Sequence, residues 1–131
     1  EKSGGEGRKE STIFDLGDTF FSAPKEALGH LLSLLREGQD EFNLFSYLVN
    51  HARTLITVKS FLERRQPLPV SYGIHPYVVK KATAVVRLRS LGSLYQSFRE
   101  FFFADYRAKV GIAKPRDALL SILLESNSKP R

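Results

Sequence analysis

A long apolar stripe between Asp40 and Pro67 limits this chain to a small set of folds. Its members recur with the 3.6-residue period of an α-helix and are Phe42, Phe45, Leu48, Val49, Ala52, Leu55, Ile56 and Leu62. Asp40 can cap the start of such a helix, and the two prolines of Gln66–Val70 cannot continue it. A helix from Glu41 to about Arg65 would be about 37 Å long, so the sequence predicts that it forms the spine of a bundle.

Further helical segments lie on both sides of this spine. Prolines at first-turn positions, polar capping residues and glycines at the ends delimit them. The segments are a short helix through Ile13 and Phe20, Pro24–Glu37, Pro76–Arg89, Leu91–Val110 and a last helix that starts near Pro115. No segment shows the period-2 alternation of strands with turn signals. The sequence therefore predicts an all-α protein, an irregular bundle of five or six helices.

Composition predicts a single helical domain over residues 11–125. Residues 1–10 are rich in glycine and charge and hold no apolar side chain, so we expect a flexible linker there. Residues 126–131 are expected to form a disordered tail. The chain has no cysteine, which excludes disulfides and cysteine-bound zinc. The formal net charge of +6 fits an anionic partner, either nucleic acid or an acidic protein surface, and it fits equally well a domain that is basic without such a partner.

Sequence patterns that carry catalytic chemistry are missing. The glycine-rich Ser3–Gly7 stretch lacks the Lys-Ser/Thr pair of a phosphate-binding loop. His30, His51 and His75 have no partner at metal-ligand spacing, and we interpret each as a partly exposed helix residue. No apolar run is long enough to span a membrane, and no signal peptide opens the chain. We therefore expect no enzyme activity, no cofactor, no metal and no membrane partner.

Three segments, in order, resemble the C-terminal domain of the bacterial DNA polymerase III delta subunit, a clamp-loader subunit. His51–Lys59 (HARTLITVK) is similar to the family's long-helix pattern. Gly73–Lys81 (GIHPYVVKK) resembles its Gly-Ile/Leu-x-Pro-Phe/Tyr-x-x-x-Lys segment, and Asp105–Gly111 (DYRAKVG) resembles its Asp-x-x-x-Lys-x-Gly ending. Ile13–Leu16 is similar to the family's entry into this domain. The resemblance covers nearly everything after Ser11.

The resemblance implies a specific role. In that family the domain is the collar, an all-α module that packs beside the collar domains of the other clamp-loader subunits in a five-membered ring. The regions that bind the sliding clamp and resemble an ATPase lie in earlier domains, so this chain would reach the clamp only through them. Its expected work is assembly during DNA replication, in the bacterial cytoplasm. A weak partner would be primer-template or single-stranded DNA.

Two residues are candidates for the contact with neighbouring subunits. Phe101, Phe102 and Phe103 are consecutive, and a helix turns 100° per residue, so all three cannot face one core seam. We expect Phe101 and Phe102 to continue the core stripe and Phe103 to contact another subunit; the alternative is a second packed face inside the bundle. Arg53 could hydrogen-bond carbonyl groups across a boundary between subunits, and a solvated helix face is the alternative.

Tyr77, Lys80 and Lys81 are the candidates for nucleic-acid contact. A tyrosine ring can stack on an unpaired base while ammonium groups hold phosphates, and a helix start adds a favourable potential for anions. The alternative is a tyrosine that packs against the third helix. A different class of function also stays open, a stand-alone basic domain that binds duplex DNA like a helix-turn-helix. Asp105 and Lys109, four residues apart, are expected to form a structural ion pair.

Overall fold

The computed structural model describes the backbone of residues 11–128 and the side chains of residues 11–125. Within that part of the chain there are six α-helices, one short 3₁₀ turn and no strand, so the predicted all-α bundle is confirmed. The helices are α1 (Ile13–Phe20), α2 (Pro24–Arg36), α3 (Glu41–Glu63), α4 (Pro76–Val86), α5 (Leu91–Lys109) and α6 (Pro115–Ser128), with the 3₁₀ turn at Val70–Tyr72.

The chain termini are covered only in part. The linker expected at residues 1–10 lies outside the described residues. At the other end, α6 continues to Ser128, three residues into the segment for which the sequence predicts a tail, and residues 129–131 are also outside the described part.

Polar side chains fix the helix starts where the sequence places them. The Thr12 hydroxyl accepts a hydrogen bond from the Asp15 backbone N–H, and the Asp15 carboxylate accepts one from the Thr12 N–H, which is a capping box. Asp40 caps α3 and Ser90 caps α5 in the same general way. Each cap satisfies a backbone donor that the first turn of a helix would otherwise leave without a partner.

The fourth helix is shorter than predicted, because it ends at Val86 rather than Arg89. The Arg89 guanidinium donates hydrogen bonds to the carbonyl oxygen of Phe21, 3.1 Å away, and to the Ser93 carbonyl and the Ser97 hydroxyl. These bonds join the end of α1 to the start of α5. Arg89 therefore holds the end of α1 and the start of α5 together.

The spine prediction is correct, since α3 packs against α1, α4, α5 and α6. Phe45 from α3 and Phe101 from α5 are the largest fully buried side chains. Around them, the Phe20 ring meets the Phe101 ring edge-on, with 4.7 Å between centroids. Apolar side chains that pack in this way make the main favourable contribution to the free energy of folding.

Candidate functional site

One side of α5 carries exposed aromatic rings that the core does not use. We call Tyr95, Phe102, Phe103 and Tyr106 the aromatic face of α5, and each ring is about half exposed. The opposite side of the same helix supplies buried residues to the core, among them Leu94, Phe101, Ala104 and Ala108. The helix is thus apolar on two sides, and only one of them is covered by the bundle.

The prediction that Phe102 continues the core stripe is wrong. Phe101 is fully buried, whereas Phe102 is 51% exposed. The reason is the 100° turn per residue, which carries Phe102 out of the seam and onto the stripe shared by Tyr95 and Tyr106, at spacings of seven and four residues. Phe103 is 49% exposed, so its side chain is available to a partner.

The two predicted interface residues are linked through a run of rings. The Arg53 guanidinium carbon on α3 lies 5.7 Å from the centroid of the Phe98 ring on α5. Phe98 in turn stacks on Phe102 at 6.2 Å, and Phe102 meets Phe103 edge-on at 5.7 Å. Arginine over an aromatic face is a favourable arrangement, so Arg53 extends the aromatic face of α5 onto the neighbouring helix.

Two of the three predicted nucleic-acid residues are in contact, since the Lys81 Nζ lies 5.3 Å from the centroid of the Tyr77 ring. Tyr77 is 60% exposed and Lys80 is exposed beside it on α4. Lys81 instead donates a hydrogen bond to the Asp18 carboxylate on α1, and this bond raises the pKa of Lys81 above its ordinary value. Lys81 is therefore held by the fold, while Tyr77 and Lys80 face solvent.

His75 has a role that sequence reasoning did not find. Its ring Nδ1 accepts a hydrogen bond of 3.0 Å from the Tyr77 backbone N–H, so the His75 side chain caps the start of α4. The position before a proline at the first helical turn is the available signal for such a cap. Because His75 occupies one donor of this helix start, the terminus offers less to an anion than the sequence suggested.

A second group, formed by two rings and one cation, was also not predicted from the sequence. The Arg64 guanidinium carbon, at the end of α3, lies 4.4 Å from the centroid of the Phe61 ring. The Tyr72 ring, from the 3₁₀ turn, meets the same Phe61 ring edge-on at 5.4 Å. Arg64 follows Phe61 by three residues, a spacing at which side chains on a helix are neighbours. This spacing is the sequence signal for the contact between Arg64 and Phe61, whereas no such signal exists for the contact with Tyr72.

A half-buried histidine, His51, lies where α1 meets α3. The His51 ring stacks on the Tyr47 ring, with 5.7 Å between the ring centroids and 9° between the ring planes. Burial lowers the pKa of His51 from 6.5, and the nearby Asp18 carboxylate opposes this effect. His51 is partly exposed, as the sequence analysis expects. Its ring contacts also give it a structural role in packing α1 on α3.

The remaining predictions concern ion pairs, metals and membranes. Lys109 Nζ lies 3.0 Å from Asp105 Oδ2, which confirms the expected pair on α5. Among residues 11–125, no three His, Asp or Glu side chains are grouped so that they could hold a metal ion. None of the described helices combines the length and the apolar character that crossing a bilayer requires.

Comparison with known protein families gives a match over most of the chain. Residues 10–126 match the model of the family described as DNA polymerase III delta subunit, C-terminal domain. Neither the curated proteins nor the solved structures gave a match. The matched range contains the aromatic face of α5 and the candidates Arg53, Tyr77, Lys80 and Lys81.

Proposed function

We propose, since this chain belongs to the family formed by the C-terminal domains of DNA polymerase III delta subunits, that it is a non-catalytic assembly domain of a clamp loader. It packs beside other clamp-loader subunits in a collar ring while the sliding clamp is loaded during DNA replication. Membership of the family supports a clamp-loader component; the packing in a ring and the surface used for it are our proposal.

The aromatic face of α5 is the observation that carries this proposal. Exposed tyrosine and phenylalanine rings cluster there with Arg53, and these residue types are enriched in protein interfaces relative to the rest of the surface. Isolated exposed apolar residues are ordinary, whereas a contiguous group on one helix marks an interaction surface. A partner that covered these rings would remove them from water and gain the corresponding hydrophobic free energy.

The helix-turn-helix alternative finds no support in the connection between α3 and α4. That motif joins its two helices by a turn of about three or four residues. Here residues 64–75 separate Glu63 from Pro76, and they contain a 3₁₀ turn of their own. We therefore do not develop duplex recognition as a function of this chain.

The proposal is tested by measuring how a Phe103→Ser variant binds the other clamp-loader subunits of the same organism. Removing a half-exposed ring from the centre of an interface is expected to weaken binding at least tenfold. Leu88→Ser is the matched control, because Leu88 is an exposed apolar residue on the turn between α4 and α5. If both variants bind as the unchanged chain does, the aromatic face of α5 is not the assembly surface.

A further inference from the structure

One charged residue, Arg99, lies within the aromatic face of α5. Counting about 100° of turn per residue places Arg99 midway around the helix between Tyr95 and Phe103. Arg99 is exposed, and Tyr95 and Phe103 are about half exposed. The rings of Phe102 and Tyr106 lie farther along the same side of the helix. Arg99 is therefore surrounded by rings and is not at the border of the face.

The spacing of these residues is typical of a seam between two helices. Tyr95, Arg99, Phe102 and Tyr106 are separated by four, three and four residues. Side chains at this spacing meet a second helix in a coiled coil. From Tyr95 to Tyr106 the seam is about 17 Å long, or three turns of helix. A single helix that runs alongside α5 is the element that fits this seam.

The acidic side chains of α5 are less exposed than its cations. Glu100 accepts a hydrogen bond of 3.3 Å from a side-chain amide one turn before it. Asp105 is engaged in its ion pair on α5, and its side chain is only 16% exposed. Among the residues that the structure describes, no carboxylate forms an ion pair with Arg99 or with Arg107. The fully exposed charges of α5 are thus all positive.

We propose that Arg99 pairs with a carboxylate of a neighbouring clamp-loader subunit, on a helix that packs along α5 and places aliphatic side chains between the rings. The inference rests on the proposed assembly function and adds the chemistry of the partner to it. A helix that covered Arg99 without an acidic residue would remove its hydration and leave a buried charge unpaired. The same face of a second copy offers rings and cations, so a symmetric dimer does not supply the carboxylate.

The charge of Arg99 is tested by the binding of variants to the other clamp-loader subunits of the same organism, measured by surface plasmon resonance. Arg99→Gln leaves the partner's carboxylate unpaired, so affinity should fall at least about tenfold, mainly through faster dissociation. Arg99→Glu sets like charges against each other, so affinity should fall at least about thirtyfold. Arg36→Gln and Arg36→Glu are the matched controls, because Arg36 is an exposed arginine on α2. Equal losses at positions 36 and 99 would mean that only net charge matters and would overturn the proposal.

The Phe103→Ser variant separates this inference from the assembly function. Weaker binding of Phe103→Ser together with unchanged binding of both Arg99 variants would leave the aromatic face of α5 as the assembly surface and overturn the pairing of Arg99. Unchanged binding of Phe103→Ser and of the Arg99 variants would overturn both. Arg99→Gln should also unfold at the same urea concentration as the unchanged chain, because Arg99 is exposed. A clearly earlier unfolding would assign the loss of binding to the fold and overturn the proposal.

A carbodiimide, which condenses an amine with a carboxylate, detects the partner's acidic residue directly. Arg99→Lys keeps the positive charge and supplies an amine, and Arg36→Lys does the same on α2 as the control. After treatment of the assembled complex, mass spectrometry should find position 99 linked to an aspartate or glutamate of another subunit, and position 36 unlinked. An assembled complex with no link from position 99, or a link to a second copy of this chain, would overturn the proposal.

Discussion

The Tyr47 ring lies so close to Gly17 that a Cβ atom on residue 17 would stand 2.6 Å from the Tyr47 Oη. Tyr47 belongs to α3 and Gly17 to α1, so this approach sets how closely the two helices pack. Tyr47 also stacks on His51 and meets Phe14 edge-on, which limits where its ring could move. A glycine inside a helix costs about 1 kcal/mol relative to alanine, and the close approach explains why it occurs here.

Gly17→Ala is expected to lower the free energy of unfolding by about 1 kcal/mol, since the displaced Tyr47 ring outweighs the gain in helix propensity. In a Tyr47→Ala background the obstacle is gone, and the same substitution should raise the free energy of unfolding by up to about 1 kcal/mol. Urea unfolding of the four proteins in this cycle measures the coupling. Equal effects of Gly17→Ala in both backgrounds would show that the two residues are not in contact.

His51 should make stability depend on pH. Burial lowers its pKa in the folded state from 6.5, so the unfolded chain binds the proton more readily. The stability contributed by neutral His51 is therefore complete above about pH 6.5 and is lost as pH falls from there through the folded-state pKa. Asp18, Lys81 and Tyr47 are the titratable groups that act on or beside this ring.

The measurement compares the unchanged chain with His51→Gln, which removes the titrating ring. The difference in free energy of unfolding between them should be constant above about pH 6.5 and should shrink below it. A difference that stays constant through the acidic range would show that His51 does not carry this dependence.

Local sequence signals predicted most of the helices of this fold. Contacts between residues far apart in the chain could not be predicted from such signals. The caps at Asp40 and Ser90 and the buried stripe of α3 follow from neighbours in the chain. Beyond the early end of α4, Arg89 hydrogen-bonds to the Phe21 carbonyl, 68 residues away, a contact that no local pattern indicates. Lys81 likewise belongs to the fold because of Asp18, 63 residues away, a pairing that no local pattern indicates.

The candidate surfaces, too, could be predicted only in part from the sequence. Counting 100° per residue places Phe103 away from Phe101, and the exposure of Phe103 agrees with that count. The same count also places Phe102 outside the core seam that holds Phe101, in agreement with its exposure. The contact of Arg53 with Phe98 could not be foreseen, because it depends on the register between α3 and α5.

Replacing Arg89 should destabilise the chain. Arg89→Ala removes hydrogen bonds to Phe21, Ser93 and Ser97 and leaves the Phe21 carbonyl without this donor, so we expect a loss of about 2 kcal/mol. Arg89→Lys should recover less than half of it, because an ammonium group cannot span the same acceptors. Thermal or urea unfolding measures both; full recovery in the lysine variant would show that only the charge matters.

The three consecutive phenylalanines should respond differently to truncation. Phe101→Ala leaves a cavity in the core and is expected to cost about 3–5 kcal/mol. Phe102→Ala and Phe103→Ala remove exposed rings, so each should change the free energy of unfolding by less than about 1 kcal/mol. Urea unfolding of the three variants checks this order. A loss at Phe103 as large as at Phe101 would place Phe103 in the core.

The most direct test of the assembly role is photo-crosslinking from the aromatic face of α5. A benzoylphenylalanine is placed at position 103 in one sample and at position 88 in another, and each is irradiated with the other clamp-loader subunits. We predict a covalent product with a neighbouring subunit from position 103 and none from position 88. Crosslinking from position 88 alone, or from neither position in an assembled complex, would contradict the assembly role.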